Sequence, residues 1–388
     1  MSDAGAHHAA FVARLRESVA VPPAILDAFE RVPRHLFVPK VGPVAAYADE
    51  AIVTHDEGGV PTSSSSQPSL MARMLDRLDV APGHRVLEIG AGTGYNAALL
   101  AALGADVTTV ELQPVVADAA REHLAAAGAR AEVVTGDGAE PPPGPFDRII
   151  VTAGVWALAP ALVAALADGG VLVAPVRINA IEAVFALRRE GDRLHGAGAL
   201  PCGFMPLRGA DESRPWRWRL GAGGGAMADT DLGNEGRGNL DRLLATPGRE
   251  VEDPLATTGH PLDAMLWVAL QGDPLLSLAL PTPNGPPGWA LGLDVLPASL
   301  LVLEFAGGYA EVGSVRLHGG DAALRTLRSG VEGWREAGSP RPSALALTVE
   351  PHRERSVWSL PYPDGGGGST LYRGAHRWTL RYAAAPSS

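Results

Sequence analysis

Apolar and polar positions alternate along residues 85–176 in a way that predicts a repeated strand and helix unit. Short apolar runs typical of buried strands are separated by segments whose apolar residues recur at helical spacing. The predicted strands are 86–89, 107–110, 131–135, 147–152 and 170–176, with helices at 95–103, 114–127 and 158–167. This alternation predicts an α/β fold with a doubly wound parallel sheet, whose ligand lies at the carboxyl ends of the strands.

The flanking segments predict further parts of the molecule. Two helical patterns within 9–30 are separated by a proline pair, and a polar loop with four serines at 56–68 abuts a helix at 70–78. Beyond residue 176, antiparallel strands at 181–189 and 203–207 are expected to complete the sheet, followed by a glycine- and arginine-rich passage. Later strands are expected at 275–280, 299–305, 344–350 and 377–382, and helices at 262–270 and 322–333.

These patterns suggest four parts of the chain. They are cap helices and a substrate loop at 1–80, a ligand-binding core at 81–210, a linker at 211–238, and an α+β domain at 239–388. Seven of the eight tryptophans follow Gly209, which suits either a peptide-binding surface or, more simply, the filling of a second core.

Composition excludes several classes of function and kinds of site. A net charge of −11 argues against a general nucleic-acid binder, because phosphate binding needs clustered Lys and Arg. The single cysteine, Cys202, excludes an internal disulfide framework, and the scattered histidines predict no metal site. We see no signal peptide and no apolar run long enough to span a bilayer, so the expected location is cytoplasmic, without a membrane partner.

The glycines at the end of the first predicted strand indicate the ligand. Gly90, Gly92 and Gly94 allow a sharp turn and a close approach of a ligand to the backbone. A pyrophosphate fingerprint needs its third glycine at the position of Tyr95, and Glu88 is a poor neighbour for phosphate. The carboxylate of Glu88 suits the ammonium group of S-adenosylmethionine (SAM). The alternative is a tight turn that binds nothing.

Polar residues at the next strand ends complete the predicted cofactor crevice. Glu111 follows the second strand, where a carboxylate can accept hydrogen bonds from both ribose hydroxyls. Asp137, in Gly136-Asp-Gly138, could accept from the adenine amino group, although this triplet is also a common turn. Thr152 ends the fourth strand at the same edge. The alternative is that Glu111 is an ordinary solvated acid at the end of a strand and binds no ligand.

Several motifs together resemble protein-L-isoaspartate O-methyltransferases over residues 10–210. They are Val32-Pro-Arg-His-Leu-Phe-Val-Pro39, Ala46-Tyr-Ala-Asp49, Ser66-Gln-Pro68, Val86-Leu-Glu-Ile-Gly-Ala-Gly-Thr-Gly-Tyr95, Gly136-Asp-Gly138, Phe146-Asp-Arg-Ile-Ile-Val-Thr-Ala153, Gly169-Gly170 and Phe204-Met-Pro-Leu207. The resemblance implies a SAM-dependent methyltransferase that esterifies the carboxylate of an isoaspartyl or related residue in a polypeptide.

Site residues follow from the resemblance by position. It implies that the hydroxyls of Ser64 and Ser66, chiefly Ser66, orient the substrate carboxylate without acting as nucleophiles. The other residues assigned to the substrate are Ser63, Ser65, Gln67 and Thr152. The residues assigned to the cofactor are Glu88, Gly90, Gly92, Gly94, Glu111, Leu112, Asp137 and Gly138. No general base is required, because an aspartyl-type carboxylate with a pKa near 4 is already ionised at neutral pH.

Two departures from the family pattern favour a more specialised function. Ser65 stands where the family has an apolar residue, and the chain continues well beyond residue 210. Longer relatives resemble methyltransferases that modify ribosomally made peptides such as lanthipeptides and graspetides. Those enzymes methylate an aspartate in a cyclised precursor peptide, and the ester collapses to an aspartimide that can hydrolyse to isoaspartate. The alternatives are isoaspartyl protein repair and a non-catalytic, SAM-binding peptide chaperone.

Overall fold

Two compact units make up the chain. The structure, a computed structural model, describes residues 3–383 apart from 59, 210–215, 222, 283–284, 296–298, 307–310, 357–360 and 365–367. The first unit contains Met1–Pro175, Val184–Gly196 and Cys202–Asp211, and the second contains Val176–Ala183, Ala197–Pro201 and Glu212–Ser388.

The first unit begins with helices and a hairpin. These elements are α1 (Asp3–Ser18), α2 (Pro23–Arg31), a 3-10 turn (Arg34–Phe37), α3 (Pro43–Ala46), β1 (Ile52–Glu57), β2 (Val60–Ser65) and α4 (Pro68–Leu78). Strands β1 and β2 pair antiparallel, with Ser64 opposite Val53 and Ser65 opposite Ile52. The interpretation of 56–68 as a loop is therefore wrong over β2. Its serines form a strand because alternate side chains, Ser63 and Ser65, are buried.

The central sheet follows the predicted alternation. Its elements are β3 (Arg85–Ile89), α5 (Tyr95–Ala102), β4 (Asp106–Glu111), α6 (Pro114–Ala126), β5 (Glu132–Thr135), β6 (Phe146–Val151), α7 (Pro160–Ala165), β7 (Leu166–Ile178), β8 (Ile181–Glu190), β9 (Arg193–Ala197) and β10 (Leu200–Cys202). The strand order is β9-β8-β7-β6-β3-β4-β5. Strands β7, β6, β3, β4 and β5 pair in parallel, and β8 and β9 pair antiparallel. The doubly wound parallel sheet is confirmed.

The segment predicted as a strand at 203–207 makes only one bridge. Gly154 pairs with Pro206 in parallel, not antiparallel. The amide of Gly154 donates to the carbonyl of Met205 at 2.9 Å, and Leu207 donates back to Gly154 at 2.8 Å. Pro206 has no N–H to extend a ladder, so the predicted antiparallel strand does not form here.

The second unit is rich in antiparallel sheet. Its elements are β11 (Trp216–Arg219), β12 (Gly225–Ala228), α8 (Gly233–Leu244), β13 (Arg249–Glu250), α9 (Pro261–Ala269), β14 (Leu275–Thr282), β15 (Gly285–Val295), β16 (Ser299–Ala306), β17 (Glu311–Gly319), α10 (Ala322–Glu336), a 3-10 turn (Pro342–Ala344), β18 (Leu345–Ser356), β19 (Tyr362–Pro363) and β20 (Gly368–Tyr382). One sheet has the order β11-β12-β14-β15-β16-β17-β13, and β20 pairs with both β18 and β19. The segment predicted as a linker thus carries β11, β12 and the start of α8.

A buried ion cluster fastens residues 176–183 to the rest of the second unit. Asp229 accepts from Arg177 Nε at 2.8 Å, from Arg373 Nη2 at 3.0 Å and from the amide of Asn179 at 2.9 Å. Burial alone would raise the pKa of Asp229, but the two guanidinium groups hold it below its usual value. A buried charge without partners is strongly destabilising, so this cluster specifies how the segment packs.

Two tryptophans of the second unit are buried, and two on β11 are half-buried. Trp334 and Trp378 are buried, in agreement with core filling. Trp216 and Trp218, on β11, have the Arg237 guanidinium 5.7 and 5.5 Å from their ring centroids. The side chain of Trp289 and the whole of Trp358 lie outside the described residues.

Candidate active site

The glycine turn after β3 has the geometry that its sequence predicts. Gly90, Gly92 and Gly94 have φ of +97°, +53° and +83°, a backbone region that side chains disfavour. A Cβ on Gly90 would lie 2.7 Å from Thr152 Oγ1, and one on Gly92 would lie 3.2 Å from the carbonyl oxygen of Ser64. The turn is therefore enclosed by Thr152 on one side and by the serine strand β2 on another.

Glu111 holds this turn from the end of β4. Its Oε2 accepts from the amide of Gly92 at 3.0 Å, and its Oε1 accepts from the amide of Gln113 at 3.2 Å. Only 8% of the residue is exposed. The two amides fix the carboxylate, and each oxygen keeps acceptor capacity for another donor. This arrangement fits the predicted acceptor of ribose hydroxyls.

Glu88 is in a different environment from the one expected for a neighbour of the SAM ammonium group. The residue is fully buried, and its carboxylate accepts from Asn96 Nδ2 at 2.8 Å and from Thr109 Oγ1 at 2.6 Å. Burial raises the pKa of Glu88 to about 7, although both hydrogen bonds oppose the shift. The contacts of Glu88 are thus to protein, and they join β3 to α5 and β4.

The buried acid predicts a pH-dependent stability. The pKa of Glu88 rises on folding, so the residue stabilises the folded state most at pH values below its pKa in the unfolded chain. This stabilisation is lost as the pH rises towards 7. Relative to Glu88→Gln, the unfolding free energy of the unaltered chain should fall by roughly 2–3 kcal/mol between pH 5 and pH 8. Urea unfolding of both proteins at several pH values, without SAM, measures this difference. A constant difference would contradict the assignment.

The remaining predicted cofactor residues gather at the same edge of the sheet. The amide of Gly136 donates to the carbonyl of Glu111 at 2.9 Å, which brings Asp137 beside β4. A Cβ on Gly138 would lie 2.3 Å from Ile89 Cγ2, so only glycine fits against the end of β3. Leu112 is half-buried in the turn between Glu111 and α6. Thr152 Oγ1 donates to the carbonyl of Gly90 at 2.7 Å.

The four serines present two different faces. Ser63 and Ser65 are buried, and their hydroxyls accept from Thr54 Oγ1 and Arg34 Nε, both at 3.4 Å. Ser64 and Ser66 alternate with them and are half-buried. Within the described part of the chain, the side chains of Ser64 and Ser66 have no hydrogen-bond partner. The hydroxyls predicted to orient the substrate are thus the uncommitted pair, and the roles themselves stay predictions.

Sequence reasoning missed the residues that support the serine strand. Arg34 donates to the carbonyl oxygens of Ser65 and Ser66 at 3.2 and 3.0 Å. Asp49 accepts from Gln67 Nε2 at 3.0 Å and from the amide of Ser69 at 2.8 Å. Both lie in motifs that were recognised only as family markers. Their function in the structure depends on contacts between segments distant in sequence.

A second set of contacts that the sequence did not reveal joins the hairpin to the cofactor edge. Gln113 Nε2 donates to Glu57 Oε1 at 2.5 Å, and Arg208 Nη1 lies 3.4 Å from Glu57 Oε2. Glu57 is the last residue of β1, and Gln113 follows Glu111 by two positions. The hairpin that carries the serines is therefore tied to the same turn that positions Glu111.

The cradle fits SAM. Glycines with left-handed backbone keep side chains off the turn between Thr152 and Ser64, and a fixed carboxylate lies beside them. Together with the strand order, these features define the fold of a SAM-dependent methyltransferase.

Comparisons identify the family. Residues 6–212 match the family model described as protein-L-isoaspartate(D-aspartate) O-methyltransferase, and because this is more than half of the chain, the chain belongs to that family. It is therefore an enzyme of the SAM-dependent carboxyl methyltransferase class.

Individual relatives agree over about half of the chain. The protein-L-isoaspartate O-methyltransferase of Koribacter versatilis is 40% identical over 196 residues, which cover 50% of this chain and 86% of that protein. That of Methanoculleus marisnigri is 42% identical over 191 residues, 48% of this chain and 83% of that protein.

A solved structure titled protein-L-isoaspartate O-methyltransferase is similar in fold beyond the first unit. It has a TM-score of 0.51 and 24% identity, and the match covers 88% of this chain and 96% of that chain. Coverage of this extent must include much of the second unit. An extended chain of this fold is therefore not peculiar to this protein.

Two further observations concern partners and location. Among the helices that the structure describes, none has the length and apolar character needed to cross a membrane. Across the described ranges, no group of three or more His, Cys, Asp or Glu side chains is placed to hold a metal ion. The cytoplasmic location stays a prediction.

Proposed function

We propose that this enzyme methylates the free carboxylate of isoaspartyl residues in polypeptides. The observation that carries the proposal is the contact between β2 and the glycine turn, where the carbonyl oxygen of Ser64 borders Gly92. This contact sets the strand that carries Ser64 against the glycine turn, which supports a substrate carboxylate held by the uncommitted hydroxyls of Ser64 and Ser66. Family membership and the names of the relatives support the same substrate class.

The cofactor site is assigned to residues at the ends of the parallel strands. Gly90, Gly92 and Gly94 would admit SAM close to the main chain, and Glu111 would accept its ribose hydroxyls. Asp137 is assigned to the adenine, with Leu112 and Gly138 beside it. When bound, SAM supplies an electrophilic methyl group on a sulfonium.

The protein's contribution to the reaction is mainly positioning. Ser64 and Ser66 would donate hydrogen bonds to the substrate carboxylate, which is already ionised at neutral pH and needs no general base. Ser63, Ser65, Gln67 and Thr152 would shape the pocket around them. Holding the two reactants together and removing water supply most of the rate enhancement.

A second candidate is methylation of an aspartate in a cyclised ribosomal precursor peptide, followed by aspartimide formation. The observation that favours it is Ser65, whose buried hydroxyl accepts from Arg34 where the family has an apolar residue. The presence of the second unit is weaker support for peptide tailoring, because the solved structure titled protein-L-isoaspartate O-methyltransferase matches 88% of this chain. The third hypothesis, a non-catalytic chaperone, receives no support from family membership.

The two candidates differ in a direct assay. The purified chain and SAM are incubated separately with a generic isoaspartyl peptide and with a cyclised aspartate-containing precursor, and mass spectra follow methyl gain and methanol loss. Methylation of the isoaspartyl peptide supports repair. Methylation of the precursor alone, ending at the mass of water loss, would replace that proposal with peptide tailoring.

A further inference from the structure

Arg34 connects two segments through their main chains. The residue is fully buried at the start of the 3-10 turn. On one side, its guanidinium donates to three carbonyl oxygens of a single loop. These belong to Ala46 at 3.2 Å, Ala48 at 2.8 Å and Glu50 at 2.9 Å. On the other side, it donates to the carbonyl oxygens of Ser65 and Ser66.

The partners of Arg34 are unusual for a buried cation. These five hydrogen bonds end on carbonyl oxygens, and a sixth, from Nε at 3.4 Å, ends on the Ser65 hydroxyl. Burial lowers the pKa of Arg34, while Tyr95 and Asp49 oppose the shift. The carboxylate of Asp49 is directed to Gln67 and Ser69. Burial of a charged group among neutral acceptors is unfavourable. The planar guanidinium of Arg34 offsets this unfavourable free energy because its N–H groups match the carbonyl oxygens of two segments.

The location of these carbonyls gives Arg34 a functional meaning. Ser65 ends β2 and Ser66 follows it, and the carbonyl oxygen of the preceding residue, Ser64, lies 3.2 Å from the position that a Cβ on Gly92 would occupy. A small displacement of this main chain would move the hydroxyls of Ser64 and Ser66 relative to the cofactor turn. Misplacement by about 1 Å can reduce a rate by about 100-fold.

We propose that Arg34 is a positioning residue for methyl transfer, which fixes the main chain of Ser65 and Ser66 so that the hydroxyls of Ser64 and Ser66 can donate to the substrate carboxylate next to the cofactor turn. This inference rests on the proposed function. It assigns Arg34 no contact with substrate. Lys cannot replace it, because an ammonium on a flexible stem lacks the planar fork that reaches both segments.

Arg34→Lys tests the inference, with Arg31→Lys as the matched control. Arg31 lies in α2 and donates to the carbonyl of Ala102 at 2.7 Å, away from the serines. The assay measures kcat/KM for the methyl-accepting peptide per SAM-binding site, the Kd for SAM, and hydrogen exchange of 46–50 and 62–69. We expect Arg34→Lys to lower kcat/KM by about tenfold, with faster exchange in both segments and SAM affinity within about twofold.

A further variant keeps the test decisive if Lys is tolerated poorly. In Arg34→Ala, added guanidinium ion can occupy the vacated space. If Arg34→Ala binds SAM normally and added guanidinium ion restores its turnover, the result would support a positioning role for Arg34. Recovery of SAM binding and turnover together, from a variant that binds no SAM, would show a folding residue and overturn the inference.

The failure of this inference differs from the failure of the proposed function. If the unaltered chain methylates neither peptide, the proposed function is contradicted. Hydrogen exchange in Arg34→Lys then shows whether Arg34 fixes the main chain of the two segments. Unchanged exchange in Arg34→Lys, or unchanged kcat/KM in an active protein, overturns the role of Arg34.

Discussion

Glu111→Gln should weaken SAM binding by about 100-fold or more, because hydrogen bonds to a charged group contribute roughly 1.5–3 kcal/mol each. The carboxylate accepts from the amides of Gly92 and Gln113 and is proposed to accept two ribose hydroxyls as well. A Gln side chain must present its amide hydrogens to one of these donors. The turn around Gly92 would therefore loosen together with the cofactor site. Isothermal titration with SAM measures the loss.

The matched control for this change is Glu132→Gln. Glu132 lies at the start of the neighbouring strand β5, and its carboxylate accepts from Thr108 Oγ1 at 3.3 Å. The same loss of charge there should leave SAM affinity unchanged. Equal losses in both variants would indicate an effect of net charge, and no loss in Glu111→Gln would contradict the cofactor assignment.

Ser66→Ala should lower kcat/KM for the peptide by about 100-fold, because removal of one preorganised hydrogen-bond donor commonly has an effect of this size. SAM affinity should remain within about twofold, since changes at separate sites with no shared partner are independent. Ser64→Ala should have a smaller effect in the same direction. Steady-state methyl transfer and SAM titration on the same preparations separate the two quantities.

Ser18→Ala serves as the control for the serine variants. Ser18 ends α1, and its hydroxyl donates to the carbonyl of Leu15 at 3.3 Å. It should retain full activity. Loss of SAM binding in Ser66→Ala would show that the hydroxyl supports the cofactor site, and unchanged kcat/KM would remove Ser66 from the mechanism.

The parallel core could be predicted from sequence because its signal is local. Runs such as Val86 to Ile89 are short, buried and bounded by glycine, and this length and these flanking glycines distinguish strands from helices. The strand β15 was missed because Gly285–Val295 contains glycines and prolines that are usual in loops. Strand β2 was missed because serine is typical of loops, and only its pairing with β1 makes it a strand.

In the candidate site, too, residues in contiguous motifs could be predicted, whereas contacts between segments distant in sequence could not. The glycines, Glu111 and the serines lie in motifs whose spacing can be read directly. Arg34 could not be assigned, because its acceptors at Glu50 and Ser66 belong to segments separated along the chain. The protein partners of Glu88 could not be predicted for a similar reason. Its partner Thr109 belongs to the adjacent strand, and only the pairing of β3 with β4 brings them together.

The measurement that tests the central claim most directly uses two peptides of identical sequence, one with an isoaspartyl and one with an aspartyl residue. Both compete for the enzyme in one tube with SAM, and mass spectrometry follows the base-labile methyl ester on each. We expect kcat/KM for the isoaspartyl peptide to be greater by about tenfold or more. Methylation of the aspartyl peptide alone, or of neither peptide, would contradict it.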